Sequence, residues 1–324
     1  MKALVLNQLH QPLTVQDVPD PIPKHDEIIV RLVTAALNHR DVWISKGQYP
    51  GIRLPVIPGS DGAGEMNGKP VIINPNIGWG ENEAVQDNGY HILGLPSQGT
   101  FAAQVAVQRD RIMPKPTHLS WAEAAALPLA GLTAWRALFS RGRLAEGEKV
   151  LISGVGGGVA LFAFQFAVAA GAEVWVTSGS DEKISKAKHM GARGGVNYTT
   201  PEWSKDLKKM VGLFDLIIDS AGGDGFSQLI DLASPAGRIT FYGGTKGEMT
   251  LNPQKIFWKQ LDILGTTMGS DKDFEDMVRF VNHHQIKPVV DGTYPLEQGW
   301  NAFQRMEAGL QFGKIVLQIQ EPLI

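Results

Sequence analysis

The chain has 324 residues, of which 43% are hydrophobic and 19% charged, and its formal net charge is −3. Single hydrophobic cores stop growing near about 250–300 residues, so this length predicts two domains. The weak negative charge provides no basic surface for nucleic acid or an anionic membrane. Because the chain contains no cysteine, disulfides, thiolate catalysis and thiolate zinc sites are excluded.

The terminal and apolar segments bear on localisation. Polar residues interrupt the N-terminus too early for a signal peptide. The longest apolar stretch, 159–172, contains Gln165 and is too short to cross a bilayer. We therefore expect a soluble, cytoplasmic protein.

The first 115 residues are predicted to be rich in β-strand. Runs with β-branched residues at 27–33, 70–73 and 101–107 are separated by Pro and Gly. Residues 74–98 have little periodicity and predict a long loop. Long loops inside compact domains are usually functional or mobile.

The pattern changes near Ser120, which together with Glu123 predicts a capping box at a helix start. From Lys149 onward, strands alternate with helices, and this indicates a parallel sheet covered on both faces. The predicted strands are 149–152, 173–177, 214–219 and 238–242, and the predicted helices are 159–170, 181–190 and 226–233. A helix after Asp271 and a strand at 314–317 end the chain.

A glycine-rich turn at 153–158 joins the first of these strands to a helix. Glycines let backbone N–H groups approach a pyrophosphate at the helix N-terminus, where the helix dipole favours an anion. A purely structural turn is the alternative. The strand–turn–helix–strand context favours dinucleotide binding.

The end of the second strand distinguishes NAD from NADP. NAD sites place Asp or Glu there, whereas a 2′-phosphate needs cations and hydroxyls. Ser178 stands at this position, Lys183 follows one short turn later, and Asp181 is predicted to cap the next helix. The residues favour NADP(H), with a solvated helix lysine as the alternative for Lys183.

The segments 38–50, 58–64 and 129–135 occur together and in order. With them, the chain resembles the medium-chain dehydrogenase/reductase superfamily, closest to its zinc-free quinone-oxidoreductase-like branch, often labelled zinc-type alcohol dehydrogenase-like. The resemblance extends over nearly the whole chain, as far as 312–317. Its motifs are specific as a set, although none is specific alone.

This resemblance implies an α/β architecture of two domains. Residues 1–121 and 269–324 would form a GroES-like β-barrel catalytic domain, and residues 122–268 an inserted Rossmann domain that binds NADP. The active site would lie in the cleft between them. Family members usually form homodimers by pairing edge strands, here predicted at 261–265.

The resemblance also predicts that the protein holds no metal. Zinc-dependent relatives have a cysteine, a Gly-His-Glu and a second cysteine or glutamate, and these positions are Asn38, Ser60 with Asp61, and Ala130 here. An amide, a hydroxyl and a methyl group cannot hold Zn²⁺. The loop 74–98 replaces the structural zinc lobe, which has lost its cysteines.

Cofactor contacts carried over by position come from several segments of the chain. They are Gly157, Gly158 and Val159 at the pyrophosphate; Ser178, Lys183 and Tyr198 at the 2′-phosphate and adenosine; Asn38 and Thr133 near the nicotinamide ribose and carboxamide; Tyr242, Gly243, Thr267 and Met268 lining the nicotinamide; and Lys314 at the diphosphate. Val155 and Ala160 replace two commonly found glycines, so the detailed fit of the turn stays open.

Without a Lewis acid, the protein must orient the cofactor hydride toward an electrophile. Quinones and α,β-unsaturated carbonyls suit such a site because conjugation stabilises the negative charge that follows hydride transfer; an aldehyde is a further candidate. Tyr49 is the candidate that polarises the acceptor oxygen or relays a proton, beside Asn38, and Trp43 provides an aromatic wall. Core packing is the alternative for both aromatic residues.

Two other functions stay open from the sequence. One is a zinc-type alcohol dehydrogenase with atypical ligands. The other is a catalytically weak protein that holds NADPH without useful turnover.

Overall fold

The computed structural model describes residues 1–323. The chain forms two compact units, Met1–Ala130 together with the C-terminal part from Ser270, and Gly131–Gly269. The first boundary lies after Ala130, further along the chain than predicted, because the helix that starts at Trp121 packs on strands of the first unit. The chain returns to the first unit at Ser270, one residue after the predicted position 269.

The N-terminal part of the first unit consists mainly of strands. They are β1 (Lys2–Val5), β2 (Thr14–Asp17), β3 (Glu27–Ala36), β4 (Asp61–Met66), β5 (Lys69–Ile73), β6 (Asn76–Ile77), β7 (His91–Ile92), β8 (Gln104–Gln108) and β9 (Ile112–Pro114), with helices α1 (His39–Ser45) and α2 (Trp121–Ala126). The predicted strands at 27–33 and 70–73 are confirmed, whereas the run 101–107 is strand only from Gln104. The predicted loop carries the paired strands β6 and β7.

The second unit alternates strands and helices as predicted. Its elements are α3 (Pro128–Trp135), which begins in the first unit, a π-helical turn at Arg136–Arg141, β10 (Lys149–Ile152), α4 (Gly158–Ala169), β11 (Glu173–Ser178), α5 (Asp181–His189), β12 (Gly194–Asn197), α6 (Trp203–Val211), β13 (Phe214–Asp219), α7 (Phe226–Leu232), β14 (Ala233–Phe241), α8 (Pro253–Lys259) and β15 (Asp262–Gly265). The strands form one parallel sheet in the order β12-β11-β10-β13-β14-β15. This is the Rossmann order, and strand succession reverses between β10 and β13.

The C-terminal part completes the sheet of the first unit. It contains α9 (Asp271–His284), β16 (Val290–Pro295), α10 (Gly299–Glu307) and β17 (Lys314–Gln318). The sheet order is β16-β17-β3-β4-β5-β9, with β8 also paired to β3. Strand β17 runs antiparallel to β3, with Val316 opposite Ala36. Both ends of the chain therefore contribute strands to one sheet of the first unit.

The packing of helix α4 fixes the position of the glycine-rich turn at 153–158. Its Phe162, Phe164 and Phe166 side chains are all buried, and burying each Phe stabilises the fold by about 1.5–3 kcal/mol. The helix is thereby held with its N-terminus at the end of β10. Across residues 1–323, no helix has both the length and the hydrophobicity required to span a bilayer.

The capping box at α2 is confirmed. The Ser120 hydroxyl accepts a hydrogen bond from the Glu123 N–H, and the Glu123 carboxylate accepts from the Ser120 N–H at 2.7 Å. This pair satisfies N–H groups that the first turn of a helix cannot pair internally.

Candidate functional site

The glycine-rich turn after β10 is held by the strands on both sides of it. The Ser153 N–H donates to the Ile218 carbonyl at 2.9 Å, and the Val155 N–H donates to the Thr177 carbonyl at 2.7 Å. The Gly154 N–H donates to the Thr177 hydroxyl at 3.1 Å. The turn therefore has a defined shape at the point where strand succession reverses.

Two glycines are required by this shape. Gly154 has φ +70° and Gly156 has φ +135°, both in the region that L-residues with a Cβ rarely adopt. Val155, which replaces a commonly found glycine, is buried and has no positive φ. The departure from the strict glycine pattern therefore falls where the backbone does not demand glycine.

The N-terminus of α4 fits an anionic group. Gly157 is its N-cap and provides no side-chain cap, and the first turn contains no acidic residue. The N–H groups of Gly158, Val159 and Ala160 have no intrahelical acceptors, because the first turn of a helix lacks them. Backbone donors and the helix dipole together favour a phosphate here.

The three residues predicted at the 2′-phosphate lie together at the end of β11. The Tyr198 N–H donates to the Ser178 carbonyl at 3.0 Å. The Tyr198 hydroxyl lies against Gly179, 3.1 Å from where a Cβ would stand. The Lys183 side chain crosses the turn, with its Cδ 2.8 Å from the Cβ position of Gly156. Lys183 thus lies beside the glycine-rich turn, while Ser178 and Tyr198 lie next to each other at the end of β11.

The prediction for Asp181 was wrong. The cap of α5 is Ser180, whose hydroxyl accepts from the Lys183 N–H at 3.3 Å. Asp181 lies inside the first turn, where its carboxylate accepts from the Asn197 side chain at 3.2 Å. Ser180 is the N-cap instead of Asp181 because Ser180 has the extended backbone that this position requires.

The residues predicted to line the nicotinamide follow β14 and β15; they are Tyr242, Gly243, Thr267 and Met268. Thr133, predicted near the nicotinamide ribose and carboxamide, lies on α3. The Thr133 hydroxyl lies 3.9 Å from the Met268 sulfur. The Tyr242 N–H donates to the Asp219 carbonyl at 3.1 Å. Burial raises the pKa of Tyr242, so its phenol stays protonated and can donate a hydrogen bond.

The first unit contains a buried triangle of Asn38, Asp61 and Lys314. The Lys314 ammonium donates to Asn38 Oδ1 at 2.6 Å and to Asp61 Oδ2 at 2.9 Å. The amide of Asn38 donates to the same Asp61 oxygen at 2.9 Å. All three residues are buried.

Neighbouring backbone N–H groups and the Asp41 carboxylate form further hydrogen bonds with residues of this triangle. Asp61 Oδ1 accepts from the Leu129 N–H at 2.8 Å. The Asn38 N–H donates to Asp41 Oδ2 at 2.8 Å. Burial raises the pKa of Asp41 to about 6, opposed first by the charge of Arg40.

Sequence reasoning missed this triangle. It treated Asp61 only as a lost metal position and assigned Lys314 to the cofactor diphosphate, which stays a prediction. Asn38 and Lys314 are 276 residues apart, and the pairing of β17 with β3 brings them together. No local pattern in the sequence carries that register.

The residues at the family's zinc-ligand positions do not fit a zinc ion. The Lys314 ammonium bridges Asn38 and Asp61, and Arg40 Nη1 donates to the Ser60 hydroxyl at 2.6 Å. A cation already binds each of these oxygen ligands, and Ala130 offers none. Within residues 1–323, no cluster of three or more His, Asp or Glu side chains is arranged to hold a metal.

The predicted catalytic aromatics lie near this region of the first unit. The Arg40 guanidinium carbon is 4.9 Å from the centre of the Tyr49 ring. Trp43 is half-buried on α1, and its ring centre is 6.3 Å from that of His39. Tyr49 also packs in part against the hydrophobic core. The catalytic assignments of both aromatics and of Asn38 stay predictions.

Two family descriptions match the chain. Residues 24–117 match the alcohol dehydrogenase GroES-like domain, and residues 158–283 match the zinc-binding dehydrogenase family. The zinc-type alcohol dehydrogenase-like protein YogA of Leptosphaeria maculans is 35% identical over 96% of each chain. The chain belongs to the medium-chain dehydrogenase/reductase superfamily, in its quinone-oxidoreductase-like branch.

Solved structures of other medium-chain dehydrogenases/reductases show the same fold. An NAD-dependent alcohol dehydrogenase is 38% identical with a TM-score of 0.92, covering 99% of this chain and 100% of its own. The quinone oxidoreductase from Thermus thermophilus, whose structure has also been solved in complex with NADPH, is 26% identical with a TM-score of 0.83. The match covers 98% of this chain and 100% of that chain. As a member of this superfamily, the present chain is an oxidoreductase that uses a nicotinamide cofactor.

Proposed function

We propose that this oxidoreductase transfers a hydride from NADPH to a quinone or an α,β-unsaturated carbonyl compound without a metal ion. One observation carries the cofactor choice. Lys183 lies across the glycine-rich turn, and Ser178 and Tyr198 flank it at the end of β11. An NAD-specific carboxylate is replaced there by a cation and hydroxyls, the chemistry that a 2′-phosphate needs.

Different residues of the Rossmann unit bind different parts of the cofactor. The N–H groups at the start of α4 bind the pyrophosphate, and Lys183, Ser178 and Tyr198 bind the 2′-phosphate. Thr133 and Met268, which contact each other, support the nicotinamide end. NADPH, when bound, supplies the hydride, and these residues orient it.

The metal-free part of the proposal rests on the first unit. Cations of the protein itself occupy the ligand positions of a zinc site, so no Lewis acid is available to polarise a simple ketone. Quinones and enones need less polarisation, because conjugation delocalises the charge that develops. The quinone oxidoreductase of Thermus thermophilus, which resembles this chain, agrees with such an acceptor.

A second candidate function is NADH-linked alcohol oxidation. The 38% identical structure described as an NAD-dependent alcohol dehydrogenase favours it. The two functions differ in cofactor and in metal requirement, so both can be measured on one preparation.

The test is an initial-rate screen with NADPH and NADH against quinones, enones, aldehydes and alcohols, alongside metal analysis of the purified protein. We expect NADPH oxidation with a quinone or an enone and no stoichiometric zinc. A preference for NADH, or about one zinc per chain, would support the alcohol dehydrogenase instead. NADPH binding without turnover of any acceptor would identify a cofactor-binding protein.

We also propose a homodimer formed by pairing two copies of β15. This strand is an edge of the six-stranded sheet, and an edge strand presents unpaired backbone donors and acceptors. Sedimentation equilibrium should give twice the chain mass of 35.2 kDa. A single-chain mass at micromolar concentration would contradict the dimer.

A further inference from the structure

Arg40 is a buried cation without an acidic partner at bonding distance. Its residue is 6% exposed, and Nη1 donates to the Ser60 hydroxyl at 2.6 Å and the Leu93 carbonyl at 2.9 Å. Over the described residues 1–323, the guanidinium forms no ion pair with a carboxylate, and its buried Nε has no hydrogen-bond partner. Buried guanidinium groups ordinarily have such partners.

Tyr90 presents a second unsatisfied donor close by. Its hydroxyl is buried and has no hydrogen-bond partner within the described part of the chain. The ring is held edge-on against Trp79, with ring centres 5.4 Å apart. Burial raises the pKa of Tyr90, Tyr49 raises it further and the charge of Arg40 lowers it. The Arg40 guanidinium lies 4.9 Å from the centre of the Tyr49 ring and bonds to the carbonyl of Leu93, three residues along the chain from Tyr90.

The nearest acid along the chain does not neutralise this cluster at contact. Asp41 follows Arg40 directly, but one of its oxygens accepts from the Asn38 N–H and the other has no partner. Asp61 is already bonded to Lys314. Within residues 1–323, no carboxylate therefore lies at hydrogen-bond distance from the Arg40 guanidinium.

Two buried donors without acceptors are costly, at about 1–3 kcal/mol for each neutral group and more for a charged one. In native structures such groups are bonded to an ordered water or ion, or they belong to a ligand-binding or catalytic site. A guanidinium offers only donors, and a protonated phenol can donate as well. The ligand group must therefore be an acceptor, and the positive charge favours an oxygen that carries negative charge.

We infer that Arg40, Tyr49 and Tyr90 form an oxyanion subsite that binds the carbonyl oxygen of the acceptor, which rests on the proposed function. The hydride adds with its electron pair to the conjugated carbon, and the π electrons move onto the carbonyl oxygen. Arg40 and the Tyr90 hydroxyl donate hydrogen bonds to the resulting enolate or hydroquinone anion. A proton from water then completes the reduced product.

Through hydrogen bonds, this subsite stabilises the negative charge that a metal ion would stabilise in a zinc-dependent dehydrogenase. Fixed donors act most strongly where charge develops in the transition state, and losing one costs about 100- to 1000-fold in a well-organised site. The long loop 74–98 supplies both Tyr90 and the Leu93 carbonyl that holds Arg40. The loop therefore has a catalytic reason to be ordered.

Tyr90→Phe is the decisive variant because it removes only the hydroxyl. The ring keeps its contact with Trp79, so we expect an unchanged or higher Tm and an unchanged Kd for NADPH. The value of kcat/KM for 1,4-naphthoquinone and for trans-2-hexenal should fall by about 10- to 100-fold. Tyr294→Phe, the same change on β16 of the same unit, is the matched control and should stay near wild type. A Tyr90→Phe enzyme as active as the control would overturn the subsite.

A measurement without turnover uses 4-nitrophenol, whose anion resembles an enolate. Bound to the wild-type protein, it should ionise at lower pH than in solution, which its absorbance reports directly. Tyr90→Phe should weaken this shift, and Arg40→Met, checked for folding by circular dichroism, should abolish it. A wild-type protein that leaves the 4-nitrophenol titration unchanged would also overturn the subsite. Failure of the proposed function is distinct, since it would appear as wild-type inactivity toward every quinone and enone.

Discussion

The cofactor turn and the buried triangle of Asn38, Asp61 and Lys314 are built on different principles. The turn uses backbone N–H groups and two glycines with positive φ, and its charge comes from a helix end and from Lys183 at the rim. The triangle uses side chains from three distant segments, all of them buried. The turn is formed by local chain geometry, whereas the triangle is formed by the long-range pairing of β17 with β3.

This difference determines how each site tolerates change. A backbone site loses little when a single side chain is altered, because its donors belong to the main chain. A buried ion pair is different: removing one partner leaves an uncompensated charge away from water. We therefore expect stability effects at the triangle and cofactor-selectivity effects at the turn.

Lys314→Met should have the largest effect. It leaves the Asp61 carboxylate buried with only the Asn38 amide and the Leu129 N–H as donors. Breaking a buried pair in this way costs about 3–5 kcal/mol of unfolding free energy. Urea unfolding followed by circular dichroism measures the loss.

The double variant Lys314→Met with Asp61→Asn is the control, because it removes both charges together. It should recover much of the lost stability, since replacing a whole buried pair is often nearly neutral. If the single variant unfolds at the same urea concentration as wild type, the triangle does not stabilise the first unit.

Asp41→Asn should have the next largest effect, and the effect should depend on pH. Burial raises the folded pKa of Asp41 to about 6 from the usual 3.8, so the folded state binds more protons between these values. Wild-type stability must then fall, relative to the variant, as pH rises from about 4 to 6, by about 3 kcal/mol in total. The Asn side chain can still accept from the Asn38 N–H.

Urea unfolding of both proteins at a series of pH values measures this difference. Groups that titrate equally in the two proteins cancel. A difference that stays constant across this pH range, or grows in the opposite direction, would show that the Asp41 carboxyl is not strained by burial.

The same contrast explains how much of the molecule could be predicted from its sequence. Ser178, Lys183 and Tyr198 could be predicted to lie close together because they belong to one strand–helix–strand unit, whose geometry is nearly invariant. The triangle was missed because the β17 register on β3 is a long-range property. Tyr90 was missed because the loop 74–98 has no periodicity to indicate where its side chains point. Arg40 lies on α1, and it was missed because its partners Ser60 and Leu93 are 20 and 53 residues away along the chain.

At the turn, Lys183→Met should lower the preference for NADPH over NADH. A hydrogen bond to a charged group contributes about 1.5–3 kcal/mol, and partial exposure of Lys183 places its effect at the lower end, about tenfold in the ratio of kcat/KM values. Lys188→Met, on the same helix but in its last turn, is the matched control and should leave the ratio unchanged. An unaltered ratio in the Lys183 variant would make this residue an ordinary solvated lysine.

Tyr198→Phe should have the smallest effect and sharpens the assignment of that side chain. The ring remains against Gly179 while the hydroxyl, 3.1 Å from the Cβ position there, is lost. A neutral hydrogen bond contributes about 0.5–1.5 kcal/mol, so the KM for NADPH should rise about threefold, with the KM for NADH unchanged. Equal rises for both cofactors would instead indicate that the hydroxyl supports the shared adenosine, because only NADPH carries the 2′-phosphate.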